Sequence, residues 1–289
     1  MALCYDLHSH SIYSDGVLSP TDLLRRAVAK GVDVLALTDH DVTSGIAEAA
    51  ATAQSLGVCL VPGVEISVTW RKRLLHIVGL GIDPGDEQLL QGLAKLREVR
   101  HGRAMEMGRR FEKIGINGVY EGARVLANGD IISRTHFARY LVGNHQARDM
   151  QDAFKRYLKQ GKRCYVPCQW ASLDEAVGWI TRANGQAVIA HPARYELGHT
   201  LMNSLLCEFK EMGGAGIEVV TSSHNQQDCL AMANHAKKFK LLASVGSDFH
   251  EPGNSWVELG KLPSLPEGCV PVWQEWCVNN EHKQSMVVH

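Results

Sequence analysis

The sequence predicts an α/β protein built as a β/α barrel. Short apolar runs alternate with helical segments along the chain, and a histidine or carboxylate directly follows several of these runs. Most runs are apolar throughout, which is typical of strands buried on both faces of a parallel sheet. Seven strands are predicted: Leu3–Leu7, Val32–Leu37, Val58–Val64, Leu74–Leu80, Ala187–Ala190, Gly216–Val220 and Leu241–Val245. Alternation of strand and helix in this way favours a β/α barrel.

The helices between these strands have clear start signals. Ser19 precedes Pro20 and Asp22, which places an N-cap serine, a proline at the first helical position and an acid in the first turn. Ser172 and Glu175 have the spacing of a capping box. Further helices are predicted from Ser44 to Gly57, over 200–212 and over 225–239.

One connection is too short for a crossover helix, which a parallel pair of strands needs. It runs from Glu65 to His76, and Trp70–Arg73 is predicted to be the tip of a hairpin. The fourth strand should therefore run antiparallel to the third. Glu65 is then expected to end one strand near the rim, and His76 to begin the next strand near the same rim.

Residues 86–170 contain no convincing strand and are too long for a loop in a compact barrel. They are predicted to hold a long charged helix (86–114), a glycine-rich turn region (115–130) and two shorter helices (133–143 and 149–160). We interpret them as a helical insertion that forms a lid over a discontinuous barrel of residues 1–85 and 171–289. The tail after residue 262 is expected to pack along the side of the barrel.

Composition limits the classes of partner. Thirty Lys and Arg against 31 Asp and Glu give a net charge of −1, which argues against a protein that mainly grips duplex DNA. A small nucleotide or a short single strand of RNA remains compatible with a local basic pocket. No stretch approaches the roughly 20 apolar residues of a membrane span. The N-terminus lacks a signal-peptide pattern, so a cytoplasmic protein is expected.

The candidate metal ligands are histidines and carboxylates near the ends of predicted strands. His8 and His10 are two residues apart, as are Asp248 and His250, so each pair can face one ion. The C-terminal rim of a barrel gathers such residues from distant parts of the chain. Nine are predicted: His8, His10, Asp15, His40, Glu65, His76, His191, Asp248 and His250.

Nine ligands suit two or three metal ions, since one ion takes roughly four to six. Glu65 is the candidate bridge. Imidazole and carboxylate without thiolate suit Zn, Mn or Fe. Asp15 also has a plainer interpretation as a turn residue beside Gly16. Asp6 and Asp39 are expected to orient ligand histidines, and Asp41 to cap a turn.

These residues stand in motifs that resemble those of the PHP (polymerase and histidinol phosphatase) family of metal-dependent phosphoesterases. The motifs are Asp6–His10, Ser14–Gly16, Leu37–Asp41, Gly63–Glu65, His76–Gly79, Ala190–Pro192 and Gly246–His250. The resemblance implies a distorted, TIM-like barrel of seven strands and a trinuclear centre with the nine residues as ligands. Ile132–Arg139 and Tyr165–Pro167 resemble the bacterial members that act as 3′,5′-nucleoside bisphosphate phosphatases or 5′-3′ exoribonucleases.

That subgroup implies removal of the 3′-phosphate from a bisphosphate such as pAp, release of 5′-mononucleotides from short RNA, or both. The nucleophile would be a metal-bound hydroxide, with Mn favoured. Arg134 and His136 begin a predicted lid helix, which is a good anion site, and Arg194 lies on a rim loop. Ser223 and His224 follow the sixth strand, and His224 is the candidate general acid.

A basic row on the long helix has two interpretations: a solvated helix face, or a guide for short RNA. It consists of Arg97, Arg100, Arg103, Arg109 and Arg110. Three other functions stay open. Histidinol-phosphate phosphatase would use the same centre. An amidohydrolase is more remote, because Glu65 stands where that class has a bridging lysine. A non-catalytic module would have lost ligands, and none is missing.

Overall fold

The computed structural model describes residues 3–253, 256–278 and 286–287. Seven strands form one sheet in chain order. They are β1 (Tyr5–Asp6), β2 (Val34–Leu37), β3 (Cys59–Trp70), β4 (Arg73–Leu80), β5 (Gln186–Ile189), β6 (Gly216–Thr221) and β7 (Leu242–Gly246). Every predicted apolar run forms one of these strands.

The sheet closes into a barrel between its first and last strands. The amide of Leu7 donates to the carbonyl of Val245 at 3.0 Å, and the amide of Asp248 donates to the carbonyl of His8 at 2.9 Å. Within the sheet, β4 runs antiparallel to β3 and to β5, and the other neighbouring pairs are parallel. The predicted fold class, a distorted seven-stranded barrel with an antiparallel hairpin, is confirmed.

Nine α-helices accompany these strands in the described part of the chain. They are α1 (Pro20–Ala29), α2 (Ile46–Leu56), α3 (Glu87–Glu112), α4 (Val119–Leu126), α5 (Arg134–Gly143), α6 (Met150–Ala153), α7 (Leu173–Arg182), α8 (His199–Glu211) and α9 (Gln226–Phe239). None of the helices described is long and apolar enough to cross a membrane.

One prediction inside the insertion was wrong. The region predicted as glycine-rich turns contains α4, which starts after Gly118 and buries Val119 and Ala123. Tertiary packing of this apolar face outweighs the local turn signals. The helix predicted over 149–160 is present from Met150 to Leu158, as α6 continued by a π-helical segment at Phe154–Leu158.

The position of Glu65 was also predicted wrongly. β3 continues past Glu65 to Trp70, and Glu65 pairs with Val78 in the middle of the hairpin. Glu65 is nevertheless level with the rim, because it forms a parallel bridge with His40 just beyond the end of β2. The hairpin therefore rises above the rim instead of ending there.

The long helix α3 belongs to two hydrophobic cores. Its first half contributes Leu89, Leu93 and Leu96 to the core between the barrel wall and its outer helices. Its second half contributes Ala104, Met107 and Phe111 to a separate core. That second core also holds Val119, Phe137, Leu141, Leu158 and Val166, all from the insertion. One continuous helix therefore connects the insertion to the barrel.

The described part of the C-terminal tail packs in two places: Leu265 and Cys269 lie against the core between the barrel wall and its outer helices, as expected, whereas the residues after them lie across the end of the barrel opposite the rim. Val272 and Trp276 join the core of the barrel interior. Trp273 stacks on Tyr5 at 4.2 Å between ring centroids, and the Trp276 indole donates to Gln186 at 3.1 Å. Tyr5 and Gln186 are the first residues of their strands. Val272 and Trp276 therefore help to shield the apolar interior from water at this end.

Candidate metal centre

The nine predicted ligands meet at the C-terminal rim. His8 and His10 follow β1 with their Nε2 atoms 3.1 Å apart, so both ring nitrogens point to one place. Eight of the nine form three overlapping groups whose candidate ligand atoms lie within 4.8 Å of one another. The groups are His10, Asp15, His40 and His250; His8, His10, Glu65 and Asp248; and His40, Glu65 and His76. The ninth residue, His191, lies 3.0 Å from Glu65.

Glu65 is the centre of this arrangement. One of its oxygens, Oε1, lies 2.9 Å from Nδ1 of His76 and 3.0 Å from Nε2 of His191. The other, Oε2, lies 2.9 Å from Nδ1 of His40 and 3.3 Å from Nε2 of both His8 and His10. A carboxylate with imidazoles around both oxygens has the geometry of a bridging ligand.

Buried polar atoms in the cluster lack the hydrogen bonds that buried groups normally have. Four such atoms lie close to another ligand without the geometry of a hydrogen bond: Oδ1 of Asp15, Nδ1 of His40, Oε2 of Glu65 and Nδ1 of His76; Nδ1 of His191 also lacks a partner. Each of the four belongs to a candidate ligand and points toward its neighbours in the cluster. Metal ions would satisfy all four, so the residues present fit a metal centre of imidazole and carboxylate ligands.

Three of the strained backbone positions lie at the rim. Asp41, His191 and Asp248 have positive φ angles of 53°, 30° and 55°. A residue with a side chain in this region costs on the order of 1–3 kcal/mol, and such strain clusters at functional sites. Two of the three are candidate ligands, so the fold accepts strain where the centre is built.

Comparison with known proteins agrees with this geometry. The family described as "PHP domain" matches residues 6–170, which is more than half of the chain. The chain belongs to the PHP family. The resemblance inferred from its motifs is therefore confirmed.

Relatives of this PHP protein match over nearly their whole lengths. A 3′,5′-nucleoside bisphosphate phosphatase of Chromobacterium violaceum is 50% identical, over 93% of this chain and 95% of its own. A 5′-3′ exoribonuclease of Haemophilus influenzae is 45% identical, over 94% of this chain and 98% of its own. A solved structure described as an amidohydrolase from C. violaceum, with bound sulfate and no metal, is 49% identical. It superposes with a TM-score of 0.91, over 94% of this chain and 95% of its own.

Neighbouring charges and burial shift the pKa values of groups in the PHP centre in opposite directions. Burial would raise the pKa of Glu65, but His40 and His76 beside it hold that pKa well below its usual range. Burial and the neighbouring His250 lower the pKa of His10 to about 3. Burial opposes protonation of His250 too, but Asp15 raises its pKa to about 9. Some imidazoles are therefore charged at neutral pH without metal, and others are not.

Glu218 is a residue of the centre that the sequence did not reveal. It lies in β6 and is 1% exposed. Its Oε1 lies 2.7 Å from Nδ1 of His8, and its Oε2 accepts from the backbone amide of His191 at 2.5 Å. The only signal was one carboxylate inside an otherwise apolar run.

The aspartates predicted to orient histidines do something else. Asp6 accepts from the amides of Ser247 and Gly260, at 2.8 and 3.0 Å. Asp39 accepts from Ser11 and from the hydroxyl of Ser14. Both therefore fix the loops that carry ligands, and neither binds an imidazole directly.

Asp41 does not cap a turn. Its carboxylate accepts from the amide of Ser67 at 2.7 Å and from Nε of Arg100 at 2.6 Å. Both members of this ion pair are buried. Arg100 is thus not part of a solvated helix face, as the first interpretation of the basic row had it. The pair fastens α3 to the rim.

The insertion and the barrel enclose a cavity of about 160 Å³ above the centre. Arg103 and Arg134 line it together with His40, His76 and Asp248. Arg103 lies over the Trp170 ring and Arg134 over the Phe154 ring, at 5.6 and 5.8 Å. Within the described residues, neither guanidinium has a carboxylate within 4 Å. Burial and repulsion from Arg134 lower the pKa of Arg103 to about 10. A bound anion would relieve this repulsion.

The other predicted substrate residues have different positions. Arg194 lines the cavity and donates to Asp248 at 2.8 Å. His136 accepts from the amide of Ser133 in a capping box and is absent from the cavity lining. Ser223 is exposed and also outside the cavity.

His224 lacks the free nitrogen that a general acid needs. Its Nε2 lies 3.2 Å from the amide of Ala193, and its Nδ1 lies 3.1 Å from the carbonyl of Val219. Burial lowers its pKa. His224 therefore holds the loop after His191 in place. The prediction that His224 is the general acid is not supported.

Proposed function

We propose that this PHP protein hydrolyses the 3′-phosphate of 3′,5′-nucleoside bisphosphates such as pAp, and releases 5′-mononucleotides from the 5′ end of short RNA. One observation carries the proposal: the three ligand groups share a cavity with two guanidiniums that lack carboxylate partners among the described residues. The relatives named as a bisphosphate phosphatase and as an exoribonuclease support this substrate class. Both substrates present a phosphate ester at a 3′-oxygen beside a 5′-phosphate.

We further propose that the centre holds two or three divalent ions, with Mn²⁺ the first candidate. The donor set supports this, since it contains imidazole and carboxylate and no thiolate. When bound, the ions would lower the pKa of a coordinated water toward about 7 and neutralise phosphoryl oxygens. Water would add to phosphorus, the P–O3′ bond would break, and O3′ would leave as the hydroxyl after taking a proton.

The chain's own residues position the substrate for this reaction. Arg103 and Arg134 would hold the 5′-phosphate, because two buried guanidiniums can form charge-assisted hydrogen bonds to its oxygens. Thr135 donates to Oδ2 of Asp15 at 2.9 Å, which leaves Oδ1 facing His250. The lid helix α5 therefore supplies both the anion site and a support for one ligand.

A panel of substrates tests the proposal. Purified protein with Mn²⁺ should release phosphate from pAp faster than from AMP or histidinol phosphate, and should release mononucleotides from a 5′-phosphorylated trinucleotide. Absent turnover of pAp, or turnover equal to that of AMP, would overturn the bisphosphate assignment. Histidinol phosphate hydrolysed at a comparable rate would favour that alternative. The double variant His8→Ala/Asp248→Ala is the control and should be inactive yet folded.

A further inference from the structure

A second, basic groove opens directly from the catalytic cavity. It has a volume of about 470 Å³ and shares Leu74, Arg134 and Arg194 with the cavity. Its remaining lining is Arg71, Lys72, Arg73, Gln160, Tyr165 and Tyr195. The hairpin tip forms one wall, and the insertion supplies the other. Five cations around one groove contrast with a net charge of −1 for the whole chain.

The charges at the hairpin tip differ in how far they are neutralised. Arg71 donates to Glu208 at 2.5 Å, and the Trp70 indole donates to the same carboxylate at 2.7 Å. This contact fixes the tip against α8. Lys72 and Arg73 are exposed, and in the described part of the chain neither has a carboxylate within 4 Å. Their charge is therefore available to a ligand in the groove.

The turn itself is unusual for its sequence. Arg71 and Lys72 have φ angles of 45° and 64°. A two-residue hairpin turn with both central angles positive normally carries Asn-Gly or a similar pair. Side chains in this conformation cost on the order of 1–3 kcal/mol each, and such strain points to function. Here the strained positions carry two cations beside the entrance to the centre.

We propose that this groove binds the RNA chain downstream of the cleaved bond. The inference rests on the proposed function and names the place of its longer substrate. When a 5′-terminal nucleotide is released, the phosphorus under attack still carries the rest of the chain on its O5′. That chain must leave the cavity, and the groove continues from the cavity past Arg134 and Arg194.

The chemistry of the groove fits a single strand. Sites for single-stranded nucleic acid combine cations along the backbone with aromatic rings on which bases stack. Lys72 and Arg73 supply the cations at the far end, and Tyr165 supplies a ring. A nucleoside bisphosphate has nothing beyond its 3′-phosphate and would not reach the tip. The groove would therefore contact the RNA substrate and not the bisphosphate, although both react at the same centre.

The test compares Lys72→Glu/Arg73→Glu with wild type on pAp and on a 5′-phosphorylated pentaribonucleotide. We expect kcat/KM for the pentanucleotide to fall by about tenfold or more, with kcat/KM for pAp within about twofold of wild type. The logarithm of affinity for the strand should also depend less on the logarithm of salt concentration, by about 0.7 for each phosphate that the variant no longer neutralises. Arg25→Glu, a charge reversal at an exposed position of α1, is the control and should not change kcat/KM for either substrate.

Two further measurements keep the inference open to refutation. Lys72→Arg/Arg73→Lys preserves the charge and should retain activity on the pentanucleotide. Fluorescence anisotropy with a 3′-labelled, phosphorothioate-linked pentanucleotide measures binding even if turnover is slow. An equal loss of activity on both substrates, or no change in binding and turnover of the strand, would overturn the proposal that the groove binds RNA. If wild type leaves pAp and RNA intact but binding depends on the tip, the proposed reaction fails and the groove stands.

Discussion

A single carboxylate, Glu218, holds two candidate ligands that come from different strands. Its Oε1 lies 2.7 Å from Nδ1 of His8, while its Oε2 accepts the backbone amide of His191. A carboxylate at Nδ1 fixes the imidazole tautomer and leaves Nε2 free to face a metal. The contact to His191 also holds a residue whose backbone is strained.

Glu218→Ala should therefore weaken metal binding without removing a ligand. Removal of such a supporting hydrogen bond typically costs about 10–100-fold in metal affinity or activity. Glu218→Gln keeps an oxygen and an amide in the same place and should lose less. Titration of metal-free protein with Mn²⁺, followed by calorimetry, measures this. Unchanged affinity in the alanine variant would show that the contact is only structural.

The two guanidiniums that lack carboxylate partners among the described residues, Arg103 and Arg134, should determine the preference for a second phosphate. A hydrogen bond to a charged group contributes about 1.5–3 kcal/mol, so Arg134→Ala should lower kcat/KM for pAp by about 10–150-fold. Arg103→Ala should act in the same direction. Hydrolysis of p-nitrophenyl phosphate, which lacks the second phosphate, is the comparison and should change little. An equal loss on both substrates would place Arg134 outside the phosphate site.

Metal binding should release protons at neutral pH, because imidazoles must be neutral to bind metal. In the metal-free protein, burial opposes protonation of His8 and His250. The carboxylates nearby nevertheless raise the pKa of His250 to about 9 and that of His8 above its usual range. His250 is then protonated at pH 7, and His8 holds its proton to higher pH than a free imidazole, so the apparent affinity for Mn²⁺ should rise with pH toward about 9. His10 and His76 have pKa values of about 3 and 4 and are already neutral.

Calorimetry in two buffers of different ionisation enthalpy counts these protons. The heat of Mn²⁺ binding at pH 7 should differ between the buffers, and His250→Ala should reduce the difference. A heat that does not depend on the buffer would contradict the charge states inferred for the two histidines.

The buried pair of Asp41 and Arg100 should matter for stability more than for chemistry. Their Nε–Oδ2 distance is 2.6 Å, and removal of one partner would leave the other charge buried and unpaired. Such a change costs about 3–5 kcal/mol. Urea unfolding of Arg100→Met should show this loss, and Arg109→Met, whose side chain is 63% exposed, should not. Equal stability of both variants would mean that water reaches Asp41.

The parts of the site that were predictable depend on local spacing. His8-x-His10 and Asp248-x-His250 follow apolar runs, and the alternation of a strand puts each pair on one side. Glu218 could not be assigned in the same way, because one charge in a strand does not show which neighbour it meets. Arg100 and Arg103 looked alike as helix arginines. Both line the cavity, and only the packing of α3 decides that Arg100 is paired with Asp41 while Arg103 has no carboxylate partner among the described residues.

The tail and His224 show a second limit of sequence. Nothing in the local sequence distinguishes Trp276 from other apolar residues of the tail. Its position at the end of the barrel opposite the rim depends on contacts with residues distant along the chain. His224 follows a strand as ligands do, but its two ring nitrogens are taken by backbone groups. Neither result follows from periodicity, because both arise from how loops approach each other in space.

The passage of α3 through two cores has a consequence for the topology of the substrate. Because one unbroken helix and the pair of Asp41 and Arg100 join the insertion to the rim, the candidate metal ligands lie at the bottom of a pit between the two. A strand with a free terminus can be threaded into such a pit, whereas a closed loop would have to enter doubled. Circularised RNA should therefore survive incubation that degrades the same sequence in linear form, as gel electrophoresis would show.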